Sequence, residues 1–138
     1  MNSDHKKLLG TAGEDFAADL LHDAGYDIID RNWRDGRRGE LDIIAAGPLG
    51  PVIVEVRTRV GTLHGSPLES ITPDKLRRLR TLAAAWLRAH ELPGKARIDI
   101  IAITIDWEKR HDLAAQCESG TLDLDVLDPH IQWIEGVS

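Results

Sequence analysis

Apolar residues at the start of the chain recur at helical spacing. Leu8, Leu9, Ala12, Phe16, Leu20 and Leu21 predict an amphipathic helix from about Asp4 to Ala24, where Ala24-Gly25 stops it. The pattern then changes to strand-like runs. Tyr26 to Trp33 reads as one strand, Leu41 to Ala46 as a second and Val52 to Thr58 as a third, the last two joined into a hairpin by Gly47-Pro48-Leu49-Gly50-Pro51. Arg34-Asp35-Gly36-Arg37-Arg38-Gly39 is a glycine-bounded basic turn between the first two. Thr72 as N-cap and Pro73 at the first helical position open a second helix. Leu76, Leu79, Ala83, Trp86 and Leu87 supply its buried face, and Leu92-Pro93-Gly94 ends it. Arg97 to Ile105, rich in β-branched residues, is a fourth strand. Residues 107–121 read as an exposed connection. Leu122 to Leu127 alternates Leu/Val with Asp and reads as an edge strand with Asp123 and Asp125 on its solvent face. The order α-β-β-β-α-β predicts an α/β fold with a mixed sheet between helices.

At 138 residues the chain is expected to be a single domain, 1–138, with its function in one site or surface. No apolar run is long enough to span a bilayer, and Met1 to Lys7 is not followed by a signal-like hydrophobic stretch, so a cytoplasmic location without membrane contact is the expectation. The lone Cys117 excludes an internal disulfide framework, and its setting beside Glu118 gives no reason for a depressed thiol pKa; it reads as a bystander. The six scattered histidines show no zinc-like pairing. A net charge of −6 argues against nucleic acid until its distribution is considered. Residues 1–98 hold 15 Lys/Arg against 14 Asp/Glu, whereas residues 99–138 hold 2 against 9, so the acidity belongs mostly to a C-terminal segment from about residue 107. Residues 31–80 are basic, with 10 Lys/Arg against 6 acids, three of which are Glu40, Asp42 and Glu55.

Those three acids are the candidate chemistry. In a strand, side chains two apart share a face, which pairs Glu40 with Asp42 and Glu55 with Arg57. The hairpin can bring Asp42 beside Glu55. Acids among Ile and Val are expensive to bury unless something positive lies between them, and a divalent ion with a neighbouring cation is the usual solution.

Gly13-Glu14-Asp15-Phe16-Ala17-Ala18, Arg31-Asn32-Trp33-Arg34, Gly39-Glu40-Leu41-Asp42-Ile43-Ile44-Ala45, Val54-Glu55-Val56-Arg57-Thr58-Arg59 and Arg97-Ile98-Asp99-Ile100-Ile101-Ala102-Ile103 together resemble the YraN family, over residues from about 10 to 105. That family resembles the Holliday-junction-resolvase-like branch of the restriction-endonuclease-like, PD-(D/E)xK, nuclease superfamily. The resemblance implies a restriction-endonuclease-like fold and a nuclease using Mg²⁺ or Mn²⁺ on DNA, with branched or otherwise structured DNA as the expected substrate. It implies Asp42 and Glu55 as metal ligands, the Val56 carbonyl as a further oxygen donor, and Glu14 as a helix-borne acid completing the metal environment. Glu40 faces the same way as Asp42, either at the mouth of the site or as a turn-flanking residue. Such a site suits phosphodiester hydrolysis, because hard oxygens hold magnesium while leaving room for waters.

Arg57 departs from the superfamily motif, which usually has lysine there. Arginine stays charged, so Arg57 can clamp a phosphate but is a poor base. Lys75, three residues into the second helix, either places an ammonium near the cleft from another direction or is an ordinary solvated helix residue. For nucleic acid, Arg31, Arg34, Arg37 and Arg38 flank the second strand, and Arg77, Arg80 and Arg88 fall on one flank of the second helix. Trp33 either stacks a base or packs at the rim. Gly61 to Pro67, with His64, reads as a mobile loop near the catalytic strand. Resolvase-like proteins commonly act as dimers, so a homodimer is a further expectation, with no residue marking its interface. The main alternative is a nucleic-acid-binding or repair-accessory module with weak or no catalysis, which Arg57 favours. A third is a protein-interaction module built on the acidic C-terminal segment.

Overall fold

A computed structural model describes residues 2–61 and 66–137. The predicted 61–67 loop, including His64, falls partly outside the described residues. Helix α1 (Ser3–Asp23) begins where the Asn2 side chain accepts from the His5 N–H at 2.8 Å, satisfying one of the unpaired donors of the first turn. Its buried residues Leu9, Gly13, Ala17 and Leu21 repeat every four positions and form one stripe. Small residues in that stripe let the helix lie close to the sheet. A Cβ at Gly13 would collide with Thr58 Oγ1.

Strands β1 (Asp27–Arg34), β2 (Glu40–Gly47) and β3 (Gly50–Val60) form an antiparallel meander. Gly47 pairs with Gly50, leaving only Pro48 and Leu49 in the turn; Gly50 has φ +124°, which a larger residue adopts only with strain. Thr72 caps helix α2 (Pro73–Ala89) by accepting from the Lys75 N–H at 3.1 Å, with Pro73 in the first turn. This helix carries the chain across to β4 (Arg97–Ile105), which pairs parallel to β3. The α-β-β-β-α-β core of a restriction-endonuclease-like fold is thus present, as a mixed sheet flanked by helices.

The C-terminal part differs from the expectation. Residues 107–121 are not an exposed connection: Arg110–Ser119 is a helix, α3, whose Leu113 and Cys117, one turn apart, are buried in the same cluster as Leu9 and Leu21 of α1. Cys117 is a core residue, and burial pushes its thiol pKa up. Leu122 to Leu127 is not a strand either. Leu124 and Leu127 are buried about a short 3₁₀ turn at Asp125–Leu127, and the Asp125 N–H bonds the Asp123 carboxylate at 3.1 Å, so those aspartates make a local turn. The edge strand lies further on. It is β5 (His130–Ile134), antiparallel to β4, which completes the order β1-β2-β3-β4-β5.

The sheet separates two cores. Ile43, Ala45, Val52, Val54, Ile101 and Ile103 pack with α1 and α3 on one face. Leu41, Ile44, Ile53 and Ile98 pack with Leu79, Leu82 and Trp86 of α2 on the other. Asp99, fully buried in β4, accepts two bonds from Arg97, one from Trp133 Nε1 and one from the Gly136 N–H, all at 2.9 Å. These bonds compensate its lost hydration and fasten β5 to the sheet.

Candidate metal and nucleic-acid site

The site lies where β2 and β3 separate. Their ladder runs from the hairpin turn to the pair Ile43 and Val54, and the next residues outward are Asp42 and Glu55. Asp42 takes over from the ladder there: its Oδ2 accepts from the Val56 N–H at 2.9 Å. Strand alternation also breaks at this point, because Leu41 packs in the α2-side core and Ile43 in the α1-side core, although two residues apart they would ordinarily share a face. The two carboxylates consequently face each other in an opened fork rather than across a regular ladder.

Each helix sends a side chain to the fork. From α2, Lys75 Nζ reaches Glu55 Oε2 at 3.5 Å, and Glu55 is only 7% exposed. Lys75 therefore reaches the fork through this ion pair rather than standing free in solvent. From α1, Glu14 lines the same cavity as Asp42, Glu55 and Arg57. Asn32 ties that acid down. With its carboxamide in the orientation the hydrogen-bond network dictates, the nitrogen donates to Glu14 Oε1 at 2.7 Å and to Glu40 Oε1 at 2.8 Å. Asn32 has φ +53°, a conformation asparagine tolerates better than most residues. Glu40, which also pairs with Arg34 at 3.1 Å, stands beside Glu14.

Crowded negative charge sets the electrostatics. Burial, and then the charge and hydrogen bond of Glu55, push the Asp42 pKa up to about 7, against the opposing pull of the Val56 N–H and Lys75. Burial, then Asp42, push Glu14 up to about 7 as well, with Arg31 opposing. Among the described residues no group of three or more His, Cys, Asp or Glu side chains is placed to hold a metal ion. Two carboxylates with adjoining backbone oxygen still suit a Mg²⁺-sized ion, which commonly takes one or two carboxylates and fills its other positions with water and substrate oxygens. The chemistry of the donors therefore fits a hard divalent cation held by Asp42, Glu55 and the Val56 carbonyl, with Glu14 behind Asp42.

The basic candidates divide. Arg34 pairs with Glu40, Arg38 with Asp35 at 3.5 Å and Arg77 with Asp74 at 2.6 Å, all on exposed arginine side chains. Exposed pairs of this kind exchange readily with other anions. Arg37 is exposed in the basic turn. Arg57 lines the cavity, and its Nε is buried without a hydrogen-bond partner. Trp33 is partly buried and packs against the α2-side core. Four side chains were missed: Lys6 near the start of α1, Trp107 in the 3₁₀ turn just before α3 and Arg110 at its first position, all lining the cavity, and Asn32. Asn32 lay inside a quoted motif with nothing to mark its role. Trp107 and Arg110 lay in a segment read as a connection.

The model of the family described as Uncharacterised protein family UPF0102 matches residues 13–103, which carry Glu14, Asn32, Asp42, Glu55 and Lys75. This chain belongs to UPF0102. UPF0102 is the YraN family of the resemblance drawn from the motifs. A UPF0102 protein of Leifsonia xyli subsp. xyli is 47% identical over 109 residues, 78% of this chain and 92% of that protein. A UPF0102 protein of Rhodococcus opacus is 49% identical over 102 residues, 73% and 86% respectively. One from Streptomyces coelicolor is 42% identical over 99 residues, 70% and 76%. Trp107 and Arg110 fall beyond the part matched by the UPF0102 model. Among the described residues no helix is long and apolar enough to cross a membrane.

Proposed function

We propose that this UPF0102 protein is a metal-dependent nuclease that hydrolyses phosphodiester bonds in DNA, with branched or otherwise structured DNA as its substrate class. The observation that carries the reading is the meeting of Asp42, Glu55 and Lys75 at one fork. An acid, a second acid and a lysine come together there even though the strand position two residues after Glu55 holds Arg57. A divalent cation bound by Asp42, Glu55 and the Val56 carbonyl would supply Lewis acidity to the phosphate oxygens and to the attacking water.

The chain's own residues have separable tasks. Lys75 holds the Glu55 carboxylate in place from the α2 side and carries positive charge into the cleft. The Val56 N–H fixes Asp42. Asn32 orients Glu14, whose raised pKa suits it to exchange a proton with water near neutral pH. Arg57 remains charged and attracts a phosphate oxygen, without moving a proton. The arginines of the basic turn and of α2 exchange their local acids for backbone phosphates when DNA arrives.

Cleavage of junction, flap and linear duplex DNA in Mg²⁺ or Mn²⁺ tests this. Wild type should cut at least one substrate, Glu55→Gln should abolish cutting, and Lys75→Ala should reduce it by about 10²-fold or more. Cutting that survives Glu55→Gln would refute the assignment. Arg57 favours the second reading, a binding or repair-accessory module with weak or no catalysis. Measurable DNA binding, with no cutting by wild type or by Arg57→Lys on any substrate, would decide for that module.

A further inference from the structure

The cavity that holds Asp42 and Glu55 continues along β3 to the start of α3, and its volume is about 730 Å³, in the range of pockets that accept a nucleotide-sized ligand. At the far end stands Trp107, 60% exposed. The Arg110 guanidinium carbon lies 4.6 Å from the Trp107 ring centroid, and Arg110 Nη1 donates to the Trp107 carbonyl at 2.9 Å. The two form a fixed aromatic and guanidinium stack. Gly61, at φ +72°, lies against the indole, with an added Cβ in ordinary contact at 3.6 Å from Trp107 Cβ. Neither side chain has a part in the hydrolytic fork.

Charge along the cavity is polarised. The acids Glu14, Asp42 and Glu55 gather at one end, and Lys6, Arg57, Arg59 and Arg110 line the remainder. An acidic end suits a cation at the reacting phosphate, a basic wall suits the neighbouring phosphate and an aromatic platform suits a base. We infer that the Trp107–Arg110 end is a subsite for an unpaired nucleotide adjoining the scissile phosphate, its base stacked on this pair and its phosphate toward Arg57 and Arg59. A base inside a continuous duplex already has both faces stacked, whereas an unpaired base offers a face to an aromatic side chain or a guanidinium plane. The inference rests on the proposed nuclease reading and narrows its substrates to flaps, gaps or single strands.

The test is binding in EDTA, where nothing is cut, of a flap DNA carrying 2-aminopurine at the unpaired nucleotide beside the branch and of the matching continuous duplex. Trp107→Leu should weaken flap binding roughly 5- to 100-fold and remove the change in 2-aminopurine fluorescence, while duplex affinity stays as in wild type. Trp107→Phe, which keeps an aromatic face, should retain most of the affinity, and an abasic site at the labelled position should reproduce the loss with wild type. Equal flap affinity and equal fluorescence change in wild type and Trp107→Leu would overturn the subsite, even if wild type cuts DNA. Trp107-dependent binding by a wild type that cuts nothing in Mn²⁺ would keep the subsite and overturn the nuclease reading. No binding of any DNA by wild type would overturn both.

Discussion

Neutralising Asp42 should stabilise the metal-free protein at alkaline pH. Asp42 has a pKa near 7 in the fold against 3.8 for an unperturbed aspartate. Between about pH 4 and 7 the folded state consequently binds more protons than the unfolded chain, and stability falls as pH rises through that window and levels off above it. The full displacement corresponds to about 4 kcal/mol. Partial exposure of Asp42 and screening by salt reduce the expected loss to on the order of 2 kcal/mol between pH 5 and 8. For a domain of this size that is a fall in Tm of roughly 6–8 °C. Asp42→Asn keeps the shape and an oxygen for the Val56 N–H but cannot ionise, so its slope should be shallower. A residual slope should remain from Glu14, whose pKa is also about 7. Adding Mg²⁺ or Mn²⁺ at pH 8 should restore wild type by about 3 kcal/mol at a hundredfold excess over Kd and should help Asp42→Asn much less. Thermal melts of both proteins at pH 5, 6, 7 and 8, in EDTA and then in metal, read all of this. A wild-type Tm that is flat from pH 5 to 8, or identical slopes in the two proteins, would refute the reasoning.

Three other outcomes follow from the geometry. Lys75→Ala leaves the 7%-exposed Glu55 without its ion-pair partner and should cost about 1–3 kcal/mol in urea denaturation at pH 8 without metal, the loss shrinking when a divalent ion is added. Gly13→Ala improves helix propensity by about 1 kcal/mol yet drives a methyl into Thr58, so net destabilisation of about 1–2 kcal/mol is expected, relieved in part by Thr58→Ala and read by the same unfolding assay. Charge reversal at Arg37 and Arg38 should weaken DNA binding and flatten its salt dependence by about one unit of slope per lost phosphate contact, as measured by titration at several salt concentrations.

The parts of this molecule that could be read from sequence are those where local chemistry and burial agree. The fourth strand was expected at Arg97 to Ile105 and occupies those residues, because a β-branched run buried on both faces leaves no other solution. Thr72 and Pro73 marked the start of α2 for the same kind of reason. The C-terminal part was not legible. Helix α3 buries only Leu113 and Cys117, too few apolar positions to reveal a period, and its stability comes from packing on α1. Alternation in Leu122 to Leu127 resembled a strand, but Leu124 and Leu127, three apart, go inward together. In the site, Asp42 and Glu55 were legible from strand position. The break in alternation at Asp42, the reach of Lys75 and the bridging role of Asn32 depend on tertiary placement that no local pattern encodes.

The most direct measurement is the anomalous difference density of crystals soaked in Mn²⁺ at pH 8, where Asp42 is ionised. The account predicts a peak in the fork between the Asp42 and Glu55 carboxylates, absent from Asp42→Asn crystals treated in the same way. Ordered, empty carboxylates at millimolar Mn²⁺, or a peak that persists unchanged in Asp42→Asn, would contradict it.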